Sequence, residues 1–207
     1  GFIGKKLLPI IGQDKDELFV VKRKSTDLRG IKEHFSNTTF IDVQDLNNPN
    51  KLPTLSNLDF VLHLATCYGR DNESEEDIKY VNFSLGTALL DIALNSECKH
   101  FLNMDTSLPA SANSYASYKS KFRESAKSKI KEKNINFINM TLENVYGPGD
   151  MDSKLIPSLI RSCQQGKQYI NLSKGSQRRD FIFIDDAVSA ISAVIHNLKF
   201  DQLHKYK

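Results

Sequence analysis

Phe60-Val61-Leu62-His63-Leu64-Ala65 is the longest apolar run of the chain, broken only by one histidine. A run this short and continuous is what a parallel strand buried on both faces requires. Working outward from it, the same kind of segment recurs at Leu18 to Val21, Phe40 to Val43, His100 to Met104 and Asn136 to Leu142. Between them lie stretches with helical spacing. One covers roughly 74–96, with Tyr80, Phe83, Leu85, Leu89, Leu90, Ile92 and Ala93 in phase, and another roughly 113–133. Strand and helix alternating in this rhythm predict an α/β fold with a doubly wound parallel sheet.

The chain of 207 residues has room for one large domain or two small ones. With 28 Lys+Arg against 25 Asp+Glu, its net charge of +3 is too small and too dispersed to argue for nucleic acid. A chain of this length buries about 70% of its unfolded surface, so its core needs neither metal nor disulfide. Three cysteines (Cys67, Cys98 and Cys163) without a CxxC or Cys/His cluster read as idle thiols in a reducing compartment. No apolar run approaches the roughly 20 residues of a membrane span, and no leader-like segment opens the sequence. A cytoplasmic protein without membrane or nucleic-acid partners is expected. Asp150 and Asp152 are too few for a metal site, so no metal is expected.

The chain opens Gly1-Phe2-Ile3-Gly4 ahead of an amphipathic helix. Two glycines in this position fit the remainder of a strand-to-helix turn in which backbone approaches a pyrophosphate. A frayed helix end is the alternative reading. Pro9 inside this helix removes a backbone donor and calls for a kink. The acidic stretch Arg70 to Asp77 reads as a solvated loop leading into a helix start.

The strongest chemical signal is Tyr115-Ala116-Ser117-Tyr118-Lys119. Tyr and Lys four residues apart share one helix face. An ammonium beside a phenol favours phenolate, which makes the tyrosine usable as an acid or base on an alcohol or ketone oxygen. The same spacing also arises from an exposed aromatic and a solvated lysine, so the context decides. Upstream, the strand His100 to Met104 runs into Asp105-Thr106-Ser107, placing the Thr106 hydroxyl where open α/β sheets bind ligands. His63 reads as a satisfied core histidine, Cys67 as packing, and one of Asp185 and Asp186 as the cap of a following helix.

Taken in order, GFIG, VLHLAT, DTS, YASYK, NVYGPGD and RRDFIFIDDA resemble the extended short-chain dehydrogenase/reductase superfamily, in its NAD-dependent epimerase/dehydratase group acting on nucleotide sugars. The likeness spans essentially the whole chain. Within the group, HLAT, FLNMDT and NMTLENVYGPGD are most similar to 4-keto-sugar reductases of the CDP-abequose synthase type, which implies lipopolysaccharide O-antigen biosynthesis. The resemblance implies a Rossmann-type sheet whose first strand is missing, followed by the start of a small C-terminal substrate domain. It divides the chain into a dinucleotide-binding domain, 1–150, and a partial substrate-binding region, 151–207, interleaved with it. On this reading the chain is a fragment.

The resemblance also implies roles. Gly1, Phe2, Ile3 and Gly4 would meet the cofactor pyrophosphate, Asp42 and Val43 its adenine, and Leu64, Ala65 and Thr66 would line it from a strand end. Thr106, Tyr115 and Lys119 match the catalytic set, with Tyr115 and Lys119 also at the nicotinamide ribose. Val145 would lie near the carboxamide. Thr106, Asn144 and Arg179 would contact substrate, Arg179 clamping the diphosphate. Family members that prefer NAD carry an acid at the end of the second strand; here Lys22-Arg23-Lys24 follow, so Arg23 points to NADP(H), with NAD(H) possible. Dehydratases of the superfamily carry carboxylates after the catalytic Thr, whereas Ser107 and Leu108 stand here. Reduction of a 4-keto nucleotide sugar is therefore expected first, 4-epimerisation second, and a non-catalytic dinucleotide-binding protein third. The full-length protein is expected as a homodimer.

Overall fold

The computed structural model describes residues 1–12, 17–27, 37–48, 51–70 and 72–199. Asp71 of the acidic stretch lies outside them. The elements run α1 (Phe2–Ile11), β1 (Leu18–Lys22), β2 (Thr38–Asp42), β3 (Phe60–His63), α2 (Glu75–Lys79), α3 (Leu85–Asn95), β4 (His100–Asp105), α4 (Ser114–Ile130), β5 (Asn136–Thr141), β6 (Val145–Tyr146), α5 (Leu155–Gln164), β7 (Ile182–Phe183) and α6 (Ile184–Lys199). All five expected strands are present, each within two residues of its expected ends. The chain divides into two compact units, one of residues 8–140 and one of 1–7 with 141–207.

In the larger unit β1 pairs parallel with β2, and β3 parallel with β4, while β5 lies on the other side of β4. Among the described residues β1 and β3 each end a sheet, with no ladder between them. β4 is the most deeply buried strand, every residue after His100 being covered. Phe101, Leu90, Ala93, Cys98, Phe122 and Ala126 form the core between β4, α3 and α4, with Phe137 stacked on Phe101 at 5.5 Å. A second cluster gathers Phe19 and Val21 of β1, Ile41 of β2 and Ala65 after β3 beside Leu85, Leu89 and Ile92 of α3. One helix therefore covers strands from both sheets.

The helical stretch expected over roughly 74–96 is present but not uniform. Ser74 caps α2 through a capping box with Asp77. A π-helical turn, Tyr80–Ser84, then joins α2 to α3. Such turns insert an extra residue and are concentrated at functional sites. α4 is capped by Asn113, whose side chain accepts the Ala116 N–H at 2.9 Å. Pro9 is accommodated inside α1.

In the other unit β6 pairs parallel with β7. Gly147 follows β6 with φ of 150°, and a Cβ there would lie 2.5 Å from the Ile184 side chain, so only glycine lets the turn approach α6. α6 begins at Ile184, which places Asp185 and Asp186 inside its first turn rather than at its cap. They still face the positive end of the helix dipole.

Candidate active site

The carboxyl ends of β3 and β4 and the first two turns of α4 bring the expected catalytic groups Thr106, Tyr115 and Lys119 into one unit. His63 and Asn103 are partners in the β3–β4 register, and their side chains meet at 3.0 Å. The Asn103 amide in turn donates to Asn139 Oδ1 of β5 at 2.9 Å. This polar ladder crosses three strands just before Leu64 and just before Asp105, so it fixes the register of both strand ends. Burial and the nearby Lys119 ammonium push the His63 imidazole down to about 4. It stays neutral at pH 7, as a core histidine should. Asparagines inside an apolar strand were the sequence signal for the ladder.

Tyr115 and Lys119 lie one turn apart near the amino end of α4, and both are buried. Tyr115 packs with Cys67, Ile78 and Ala116, and its ring lies 5.0 Å from that of Tyr68. Lys119 is fully enclosed. Its ammonium donates to the Met104 carbonyl at 2.7 Å and reaches the Ala65 carbonyl at 3.5 Å. Those two contacts tie α4 to the ends of β4 and β3 alike. Burial lowers the ammonium to about 8, and Asp105 opposes that shift. The spacing that suggested an acid/base pair is therefore not a solvated lysine beside an exposed ring. Tyr118 turns elsewhere: its phenol is raised by burial and by a hydrogen bond to Glu75, with Lys121 over its ring.

Thr106 follows β4 and is partly buried. Its hydroxyl oxygen accepts the Leu108 N–H at 3.2 Å, and its own N–H donates to Asp105 Oδ1 at 2.9 Å. The other Asp105 oxygen pairs with Arg123 of α4 at 2.6 Å. Sequence reasoning passed over Arg123, although it continues the Tyr115, Lys119 line at the next i+4 position.

The strand end after β3 is held from α2 and the π-turn. Asn82, fully buried in that turn, donates to the carbonyls of Cys67 at 2.7 Å and Ile78 at 2.8 Å. Leu64, Ala65 and Thr66 are all partly buried beside this tether. Cys67 itself is buried, and its thiol is pushed up to about 11 by desolvation, which suits packing and not nucleophilic work. Across β1 and β2, Lys22 forms an ion pair with Asp42, the expected adenine contact; Arg23 is exposed and Val43 packs into the α3 cluster.

The remaining expected residues lie in the other unit. Asn144 adopts φ of 34° and donates its amide to the Asp180 carbonyl at 2.9 Å, fixing the backbone next to the exposed Arg179. Val145 sits in β6, opposite Ile182. Gly1 is exposed, and Phe2, Ile3 and Gly4 form the partly buried first turn of α1, with Lys154 over the Phe2 ring. Among the described residues no cluster of side chains could hold a metal ion, and no helix is long and apolar enough to cross a membrane.

Residues 1–206 match the family described as the NAD dependent epimerase/dehydratase family. The chain is 31% identical over 210 aligned positions to a CDP-abequose synthase of Salmonella typhimurium (strain LT2), covering 96% of this chain and 68% of that protein. A CDP-abequose synthase of Salmonella muenchen is 29% identical, with 94% and 67% covered. Among solved structures, UDP-glucuronic acid 4-epimerase from Bacillus cereus superposes with a TM-score of 0.78 at 21% identity, covering 95% of this chain and 70% of that one. A dTDP-glucose 4,6-dehydratase from Streptomyces venezuelae superposes at 0.76 and 19% identity, with 94% and 69% covered. At these identities the structural likenesses establish the Rossmann-type fold.

Proposed function

The chain belongs to the NAD-dependent epimerase/dehydratase family, and from that premise we propose that it reduces the 4-keto group of a deoxy-hexose carried on a nucleoside diphosphate. The observation that carries this reading is the fate of Asp105. The carboxylate beside Thr106 is spent in an ion pair with Arg123, and the residues that follow Thr106 are Ser107 and Leu108. The site so assembled offers hydroxyls and an ammonium, but not the second acid/base that removal of water from the sugar would require. The similarity to CDP-abequose synthases along 96% of the chain supports the same choice.

Bound nicotinamide dinucleotide supplies the hydride in this chemistry. Gly1 and Gly4 fit such a group: a Cβ at either would meet nothing within 4 Å, so the protein's own packing does not call for glycine there. Close approach of a pyrophosphate would, and the first turn of α1 presents its N–H groups to it. Phe2, Ile3, Val43, Leu64, Ala65, Thr66 and Val145 are the proposed lining, with Asp42 at the adenine. Arg23 is the proposed partner of a 2′-phosphate, since Lys22 is committed to Asp42. NADPH is therefore the favoured coenzyme.

In the reaction Thr106 orients the ketone oxygen, and Tyr115 gives it a proton as hydride reaches the carbon. Lys119 makes that proton transferable by stabilising the phenolate left behind. It can also offer a third N–H to ribose hydroxyls, beyond those given to Met104 and Ala65. Asn144 and Arg179 are the proposed contacts to the nucleotide sugar, and 151–207 the region that receives it. Residues 1–150 are the proposed dinucleotide-binding part. We place the enzyme in the cytoplasm, in O-antigen sugar synthesis, and as a homodimer.

The test is stoichiometry. One NADPH oxidised per 4-keto nucleotide sugar converted is expected. Conversion of a nucleotide sugar without net coenzyme consumption would replace this reading with 4-epimerisation, which needs only the tyrosine, the hydride carrier and room for the sugar to turn.

A further inference from the structure

Tyr115, Lys119 and Arg123 occupy successive i+4 positions on α4, so one helix stripe carries a phenol and two cations toward β4. Each cation takes a different acceptor at the end of that strand. Lys119 takes the Met104 carbonyl, at 2.7 Å, and Arg123 takes the Asp105 carboxylate, at 2.6 Å. The Asp105 side chain is only 2% exposed, and its second oxygen receives the Thr106 N–H. Arg123 is itself aimed by a hydrogen bond from Nη2 to Ser120 Oγ at 3.2 Å. A carboxylate gripped on both sides in this way cannot rotate without breaking a charge-assisted hydrogen bond.

The consequence falls on Thr106. Its backbone is held by Asp105, and one lone pair of its hydroxyl is taken by the Leu108 N–H. A hydroxyl that already accepts a backbone N–H is set to donate its own proton outward. That is the polarity a ketone oxygen needs.

We propose that Arg123 and Asp105 form a positioning pair which holds the Thr106 hydroxyl as a donor toward the substrate oxygen and keeps it in step with Tyr115 and Lys119. The inference rests on the reading of Thr106, Tyr115 and Lys119 as the reducing site. Neither residue of the pair touches substrate; both act through Thr106 and Lys119.

The pair also sets the charge around Lys119. Asp105 from β4 favours the ammonium, and the ammonium in turn bears on His63 of β3. Groups on the remaining elements packed against α4 look elsewhere. Glu75 and Glu76 of α2 act on Tyr118, Asp77 is bound to Ser74, and Asp91 of α3 pairs with Lys129. Removing Arg123 takes a cation away from Asp105 and leaves Lys119 with a larger share of that carboxylate. Removing the Asp105 charge does the reverse.

The experiment compares Arg123→Met, Arg123→Lys and Asp105→Asn with Tyr115→Phe in the full-length protein. Arg123→Met should lower kcat about 10- to 100-fold, the scale of a catalytic group displaced by a fraction of an ångström to one ångström, with KM for both substrates changed little. The alkaline limb of its kcat profile should move to higher pH, and that of Asp105→Asn to lower pH. The Lys119 resonance in 15N-lysine spectra should titrate with the same displacements, a readout that needs no substrate. Arg123→Lys, which keeps the cation but not the fork, should restore the limb and part of kcat. Unmoved limbs and an unmoved Lys119 titration overturn the proposal, as does a loss of activity that only follows loss of folded protein. Full turnover by Tyr115→Phe would instead overturn the reading of the site on which the proposal stands.

Discussion

Replacing His63 by glutamine should flatten the acid dependence of stability, and the size of the effect follows from its setting. The imidazole is 1% exposed, hydrogen-bonded to Asn103 and close to the Lys119 ammonium. Its proton affinity falls from the ordinary 6.5 to about 4. Because the folded value lies below the unfolded one, the unfolded chain binds the proton first as pH drops. The stability conferred by neutral His63 is thus complete above pH 6.5 and is lost as pH falls towards 4. At 1.36 kcal/mol per tenfold in proton affinity, the whole loss is about 3 kcal/mol, of which about 2 kcal/mol is gone by pH 5. Urea unfolding at a series of pH values between 7.5 and 5 measures it. Carboxylates titrate in both proteins, so the quantity to read is the difference between wild type and His63→Gln. That difference should shrink by about 2 kcal/mol across the range. Parallel curves for the two proteins would refute the assignment of His63 as a buried neutral histidine.

Tyr115→Phe should cut kcat by at least about 10²-fold, the scale of lost general acid catalysis, with coenzyme affinity nearly unchanged by direct titration. Turnover close to wild type would move the proton donor elsewhere. Arg23→Ala should weaken NADPH about tenfold or more, the worth of a hydrogen-bonded charge, and leave NADH affinity alone; equal effects on both coenzymes would remove the 2′-phosphate role. Arg179→Ala should raise KM for the nucleotide sugar by a similar factor at constant kcat, and an unchanged KM would contradict a diphosphate contact.

The strands were legible because burial on both faces writes itself as short apolar runs, and Phe60 to His63 and His100 to Met104 lie where those runs predict. Less visible was the π-helical turn at Tyr80–Ser84, since apolar spacing there is compatible with an unbroken α-helix. Tyr115 and Lys119 stood out through their spacing, and their enclosure follows from α4 lying against the end of β4. Arg123 did not stand out. A single arginine among the many cations of this helix looks like a solvated face until the buried Asp105 is seen opposite it. Asp185 and Asp186 were read as a cap because the apolar helical run resumes only at Ala187, whereas α6 follows β7 directly at Ile184 with no polar residue between.

The π-helical turn makes the length of this part of the chain as constrained as its composition. Each α-helical residue advances about 100° around the axis and each residue of the wider π-turn less, so the turn takes up its extra residue while α2 and α3 stay in phase. Ahead of the turn, Ile78 points to the cluster that holds Tyr115; behind it, Leu90 and Ala93 point to the core around Phe101 and Phe122. Deleting any one residue from Tyr80 to Ser84 would therefore not trim a connection. It would close the turn into plain α-helix and take away the widened backbone from which Asn82 reaches both Cys67 and Ile78. Single-residue deletions, usually feared only inside strands, should be tolerated less in these five helical positions than in the exposed stretch from Gln168 to Gln177.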